Sequence, residues 1–193
     1  ERKGLSRAER VIAFIEVLPI TAGIHAGKRF ILRDWQKEII HSIYDVNGSG
    51  IRKVRQALIT MPRKQGKTAL ASALALAHLL GPEAEERGQI FSAASDRAQA
   101  SILFNEMVAI IVRIPEFNER CHIKNFHKEI TDLETGSVYT ALSSDARKAH
   151  GLSPSFFVFD ELAQSKSREL FDNLQTGTGA RGEPLGIVIS TQS

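Results

Sequence analysis

Residues 58–70 read LITMPRKQGKTAL: an apolar run, a short polar loop around Gly66-Lys67-Thr68, and the start of an alanine-rich segment. Strand, loop and helix in that order is the arrangement in which backbone N–H groups cradle a phosphate. Such a loop needs inward-pointing N–H groups, a glycine that permits close approach, a lysine for the β- and γ-phosphates and a hydroxyl for Mg²⁺. Gly66, Lys67 and Thr68 answer the last three needs, and a helix starting there aims its N-terminus at the anion. Met61, however, stands where the full G-x-x-x-x-G-K pattern has its first glycine. Bare Gly-Lys-Thr arises by chance in about one chain in ten of this length, so its surroundings must decide between a phosphate loop and an ordinary strand-turn-helix.

Those surroundings favour the phosphate loop. VRQALIT is an apolar run of strand length leading into the loop, and KTALASALALAHLLG joins strong helix formers to a Gly81-Pro82 stop. Roughly ninety residues on, FFVFDE ends a nearly all-apolar strand in Asp160 and Glu161. Two adjacent acids at the end of a buried strand are costly unless a cation lies near. In phosphate-loop ATPases the strand-end aspartate supports Mg²⁺ and the neighbouring glutamate polarises the attacking water. Elsewhere the pattern predicts an amphipathic helix ending at Pro19, then a short strand and a helix from about Asp34, capped by that residue. A strand is expected at GQIFSAAS, a long helix from Asp96 to Arg113 and a hairpin turning at ETGS. SRELFDNLQTG reads as a helix and LGIVISTQS as a last buried strand. Strands alternating with helices, several apolar on both faces, predict an α/β three-layer sandwich around a mainly parallel sheet.

The totals bound the function. With 193 residues, 42% hydrophobic and 24% charged, the chain has the profile of one soluble domain with a sizeable core. No apolar run reaches the length of about 18 residues needed to cross a membrane, and no signal-peptide pattern opens the chain. Cys121 is the only cysteine, which excludes an internal disulfide and suits a reducing cytosol. A net charge of +3 is compatible with nucleic acid without demanding it.

Taken together, LRDWQKEI, MPRKQGKT, SAASDRAQA, SSDARKAHGLSPSFFVFDE and VISTQS resemble, in order and spacing, the N-terminal ATPase domain of the large terminase subunit of tailed bacteriophages. In that family the phosphate loop often lacks its first glycine and carries a proline-arginine pair, as Pro62 and Arg63 do here. The resemblance implies a RecA-like phosphate-loop (ASCE) ATPase fold. It makes residues 1–50 an N-terminal helical segment on the adenine side and 51–193 the phosphate-loop core, with the family's nuclease domain absent from this chain. It implies a nucleotide-binding set of Gln36, Pro62, Arg63, Lys64, Gln65, Gly66, Lys67 and Thr68, with Trp35 or Arg33 near the base. Lys67 would bind the β- and γ-phosphates, Thr68 and Asp160 would hold Mg²⁺, and Glu161 would activate water. Ser190, Thr191 and Gln192 resemble the coupling motif that senses the γ-phosphate. Arg63 would reach the γ-phosphate in cis. Arg147 is the first choice for an arginine finger given to a neighbouring subunit, with Arg97 and Arg181 as competitors.

The function implied is ATP hydrolysis that drives double-stranded DNA into a procapsid. Its setting is the cytoplasm of a bacterial host, transiently at the portal. The implied partners are double-stranded DNA, the portal ring, the small terminase subunit and further copies of the chain in a homo-oligomeric ring; no membrane is involved. A helicase-like translocase and a non-hydrolysing nucleotide-binding assembly module are the alternatives. The first needs a second motor domain, and the second has no use for Glu161. Cys121, His122 and His127 lie close in sequence but lack the second ligand pair of a zinc site. Arg52, Lys53 and Arg55, like Arg147 and Lys148, are short basic clusters, more often solvated surface than DNA contacts.

Overall fold

In the computed structural model, residues 4–144, 151–161 and 168–192 are described. Among these, β1 (Gln56–Met61), β2 (Gln89–Ala94), β3 (Cys121–Lys124), β4 (Glu129–Asp132), β5 (Val138–Ser143), β6 (Phe156–Asp160) and β7 (Leu185–Thr191) form one sheet. Their order is β1-β7-β6-β2-β5-β4-β3. The strands from β1 to β5 in that order run parallel, and β4 and β3 close the far edge antiparallel. The helices are α1 (Arg7–Ile15), α2 (Asp34–Tyr44), α3 (Lys67–Leu79), α4 (Arg97–Arg113), α5 (Pro115–Arg120) and α6 (Glu169–Gly177).

The apolar run of β6 is explained by its place inside the sheet. Successive side chains point to opposite faces. Phe156 and Val158 therefore join the larger core with α1, α2, α3 and α4, while Phe157 and Phe159 join a second core with Leu170 and Leu174 of α6. Helices thus cover both faces, giving the expected three layers. α3 is buried from Leu70 to Leu79, and its alternating alanines and leucines let it lie close against the strands. α1 starts with a capping box between Ser6 and Glu9 and contributes Ala8, Val11 and Ile15 to the larger core.

Three local expectations need correction. No strand precedes α2; the chain there makes a closed turn held by one bridge, Pro19 to Arg29. Asp34 is not the cap of α2 but its first helical residue, where its charge suits the positive end of the helix dipole. The exposed N–H is that of Arg33, which donates to Oε1 of Gln36 at 2.8 Å. Arg52 is no solvated surface residue. Only 3% exposed, it donates to the carbonyls of Val54, Glu183 and Pro184 beneath the N-terminal ends of β1 and β7. The strand β3 and helix α5 were not anticipated, because a four-residue strand, half-buried at Cys121 and Ile123 and exposed at His122 and Lys124, and a six-residue helix are too short to carry a periodic signal.

Gly186 in β7 leaves the space that the ring of Phe157 occupies: a Cβ there would lie 2.4 Å from the ring. Gly186→Ala should lower unfolding stability by about 1–3 kcal/mol through overpacking. Denaturant titration of the variant beside the parent protein would check this.

Candidate functional site

The strand order brings three strand tips together. β7 lies between β1 and β6, pairing Met61 with Thr191 on one side and Ile189 with Asp160 on the other. The loop 62–66 leaves β1 and enters α3 through Gly66 at φ 79, a left-handed conformation in which glycine is unstrained. Lys64, at φ 62, adopts the same region two residues earlier. These turns place Lys67 at the first helical position, facing the end of β6.

Lys67 Nζ lies 2.7 Å from Asp160 Oδ1 and 2.9 Å from Glu161 Oε1. The contact with Asp160 is an ion pair without hydrogen-bond alignment, since Oδ1 is buried and receives no aligned donor. Glu161 is more fully engaged. Its Oε1 also accepts the Thr191 N–H and hydroxyl, each at 2.8 Å, and Oε2 accepts the Ser190 hydroxyl at 3.3 Å. Burial would raise the Glu161 carboxyl, but the hydrogen bonds from Lys67 and Thr191 outweigh it and hold it below its ordinary value. For Lys67, burial pulls downward and the two carboxylates win, leaving the ammonium firmer than in water. Glu161 has φ 53, an uncommon backbone state for a residue with a side chain. Strain of this kind concentrates at functional sites.

Beside the loop is an open cleft of about 650 Å³, lined by the phosphate loop, Arg33, Gln36, Phe30 and Glu106. Gln36 is 4% exposed, and Arg33 Nη1 donates to Gln65 Oε1 at 2.6 Å, tying the start of α2 to the phosphate loop. Arg33 and Gln36 are therefore at the cleft as expected. Trp35 is not: it packs on the larger core, beside the outer edge of β1. Sequence reasoning missed Thr21 and Glu106, which meet across this cleft, the hydroxyl lying 2.8 and 3.0 Å from the two carboxylate oxygens. They stand 85 residues apart, and no local signal links them.

The other assigned residues divide clearly. Pro62, Arg63, Lys64, Gln65, Gly66 and Thr68 all line the cleft. Gln192 is joined to β1 by its backbone N–H, which donates to the Met61 carbonyl. Arg181 is committed elsewhere, paired with Glu85 at 2.7 Å and bonded to the Ser153 carbonyl. These lie toward the N-terminal ends of the parallel strands, away from this chain's own phosphate loop. Arg97 opens α4 in an exposed position on the same sheet edge as the loop. Arg147 and Lys148 lie outside the described residues. Among the described residues no group of three or more His, Cys, Asp or Glu side chains is disposed to hold a metal. Burial pushes the Cys121 thiol up to about 12, so it is an inert, half-buried strand residue.

A phosphate loop at one strand tip, paired acids at a second and a hydroxyl-bearing tip between them define a RecA-like phosphate-loop ATPase fold. The chain belongs to the terminase large-subunit family: the family model for the ATPase domain of that subunit matches residues 34–193. It is 40% identical over 192 residues to the large terminase subunit of Enterobacteria phage HK97, covering 98% of this chain and 37% of that protein. The crystal structure of the HK97 large terminase superposes with a TM-score of 0.86 at 39% identity, over 97% of this chain and 38% of that one. A large-terminase ATPase-domain mutant from Thermus phage P74-26 superposes at 0.66 with 18% identity, over 85% of this chain and 66% of that one. The UvsW helicase of bacteriophage T4 does so at 0.59 with 16% identity, over 98% and 61%. These last two show likeness of fold alone. The chain thus spans a little over a third of the length of the HK97 protein. Among the described residues no helix is long and apolar enough to cross a membrane.

Proposed function

We propose that this chain hydrolyses ATP and that the hydrolysis drives double-stranded DNA into a procapsid. The observation that carries the reading is the meeting of Lys67, Asp160, Glu161 and Thr191 at adjoining strand tips. The triphosphate would lie on the N–H groups of loop 62–66 at the head of α3, with Lys67 exchanging carboxylate oxygens for β- and γ-phosphate oxygens. Glu161, kept ionised by its neighbours, would take up the proton of an in-line water. Ser190 and Thr191 would report the state of the γ-phosphate through their hold on that carboxylate.

The donor set suits Mg²⁺. The Thr68 hydroxyl and the buried Asp160 Oδ1, which lacks an aligned donor, are oxygen groups of the kind this ion takes beside phosphates and water. When bound it would neutralise charge developing on the phosphoryl oxygens. Arg63 would add charge stabilisation in cis, and Arg147 in trans to a neighbouring copy. DNA, the portal ring, the small subunit and a ring of copies are the partners of this reading, in the host cytoplasm and at the procapsid portal. The test is steady-state ATP hydrolysis with and without double-stranded DNA and portal. Absence of turnover under every condition, with ATP still bound, favours a nucleotide-holding assembly module instead.

Thr191→Val keeps the backbone N–H bond to Glu161 and deletes only the hydroxyl. A hydrogen bond to a charged group contributes about 1.5–3 kcal/mol, so kcat should fall about tenfold or more while ATP affinity changes little. Equal losses in kcat and affinity would refute a coupling role.

A further inference from the structure

We propose that Glu106, held by Thr21, accepts a hydrogen bond from the exocyclic amine of the bound nucleotide's base, which makes the 19–29 loop a specificity element; this rests on the ATP-binding reading above. Four observations carry it. First, α3 rises about 1.5 Å per residue, so Ala73 lies about 9 Å along the helix from Lys67, and Ala73 and Glu106 line the same cleft. The cleft thus extends about 9 Å along α3 from the phosphate end, and Glu106 lines it beyond the phosphate loop. Second, Glu106 is half-buried, and among the described residues no lysine or arginine pairs with it. Thr21 supplies a single proton shared between two carboxylate oxygens, so most of the acceptor capacity is unused. A partly desolvated carboxylate favours a further donor.

Third, the loop is built to hold this geometry. It is closed by the Pro19–Arg29 bridge and by the bonds Ile20 N–H to Lys28 O and Gly27 N–H to Ile20 O, both 2.8 Å. Arg113 donates to the Thr21 carbonyl at 3.1 Å, fixing the loop to α4 a second time. Fourth, the chemistry is complementary. Adenine presents a donor at its exocyclic amine and an acceptor at N7. Gln36 has spent a lone pair of its carbonyl oxygen on Arg33, and its amide N–H groups suit the base acceptor. With the Gln36 oxygen already shared with the backbone, the stronger acceptor for the amine is a charged one, and Glu106 is the carboxylate at the cleft.

The test is the Kd of ATP, purine riboside 5′-triphosphate (which lacks the amine) and 2′-deoxy-ATP, each by competition with a fluorescent ATP analogue. The proteins are the parent chain, Glu106→Gln, Thr21→Val and Lys67→Ala, with thermal melting to confirm folding. The parent protein should prefer ATP over purine riboside triphosphate by about tenfold to a hundredfold, as expected for a hydrogen bond to a charged acceptor. Glu106→Gln leaves only a neutral acceptor, so it should weaken ATP alone and shrink that preference to within a few fold, and Thr21→Val should shrink it in part. An undiminished preference in folded Glu106→Gln, or one that tracks the 2′-hydroxyl instead of the amine, overturns the proposal while ATP binding stands. Failure of the parent protein to bind ATP any better than Lys67→Ala overturns the ATP reading itself, and this inference with it.

Discussion

Lys67→Ala should lose ATP binding by at least about a hundredfold. The ammonium sits in the one place where the phosphate loop and the acids of β6 meet, within 2.9 Å of both carboxylates. Each hydrogen bond between charged partners contributes about 1.5–3 kcal/mol, and a lysine serving the β- and γ-phosphates makes more than one. The substitution also leaves Asp160 and Glu161 side by side without their cation. The remaining carboxylates would then repel the triphosphate they normally help to position. Isothermal titration with a non-hydrolysable ATP analogue measures this directly. Affinity within about threefold of the parent protein would remove the phosphate-loop assignment.

The same change carries a pH signature. The folded-state Glu161 carboxyl lies below its ordinary value. Its ionised form therefore supplies stability that is complete above the unfolded glutamate value of about 4.3. That stability is lost as pH falls through the depressed folded value. Without Lys67 the depression shrinks, so the acid side of the stability curve should flatten in Lys67→Ala. Urea titrations across the acid range would check the sign.

Glu161→Gln should abolish turnover and spare binding. Glutamine is isosteric and can keep the contacts with Ser190 and Thr191, but it cannot take a proton from water. General-base contributions run to about 10²–10⁴-fold, and a loss in kcat of that size is expected with ATP affinity within a few fold. The position is also marked by its backbone, since φ 53 points the side chain back toward Lys67 and Thr191 and away from the strand direction. Single-turnover hydrolysis separates the chemical step from product release. A variant that hydrolyses at more than about a tenth of the parent rate would transfer the role of base to another residue.

Much of this architecture was legible before any coordinates. The runs FFVFD and LGIVIST declare themselves as strands buried largely on both faces, because a parallel sheet covered by helices leaves no polar side to alternate with. QALITM, at the sheet edge, is instead exposed at Leu58 and Thr60 and buried at Ile59 and Met61. Gly66-Lys67-Thr68 and Asp160-Glu161 are local signals, since a helix N-terminus and a strand end impose fixed residue types over short stretches. Errors arose where the deciding partner is remote. Arg52 looks like a surface charge until the carbonyls of Val54, Glu183 and Pro184 are placed around it. Trp35 neighbours Gln36 in sequence, yet one helical step of about 100° turns it away from the cleft.

What the amino-acid sequence determined by itself was most of the strands and helices, the Gly66-Lys67-Thr68 loop and the pair of acids, all of them written in periodicity and short-range spacing. Only the tertiary structure decided that β7 enters between β1 and β6, so that Ser190 and Thr191 grip Glu161. The same holds for Thr21 meeting Glu106 across the cleft. Strand order and helix docking are settled by the simultaneous burial of faces from the whole chain, and no window of sequence contains that sum.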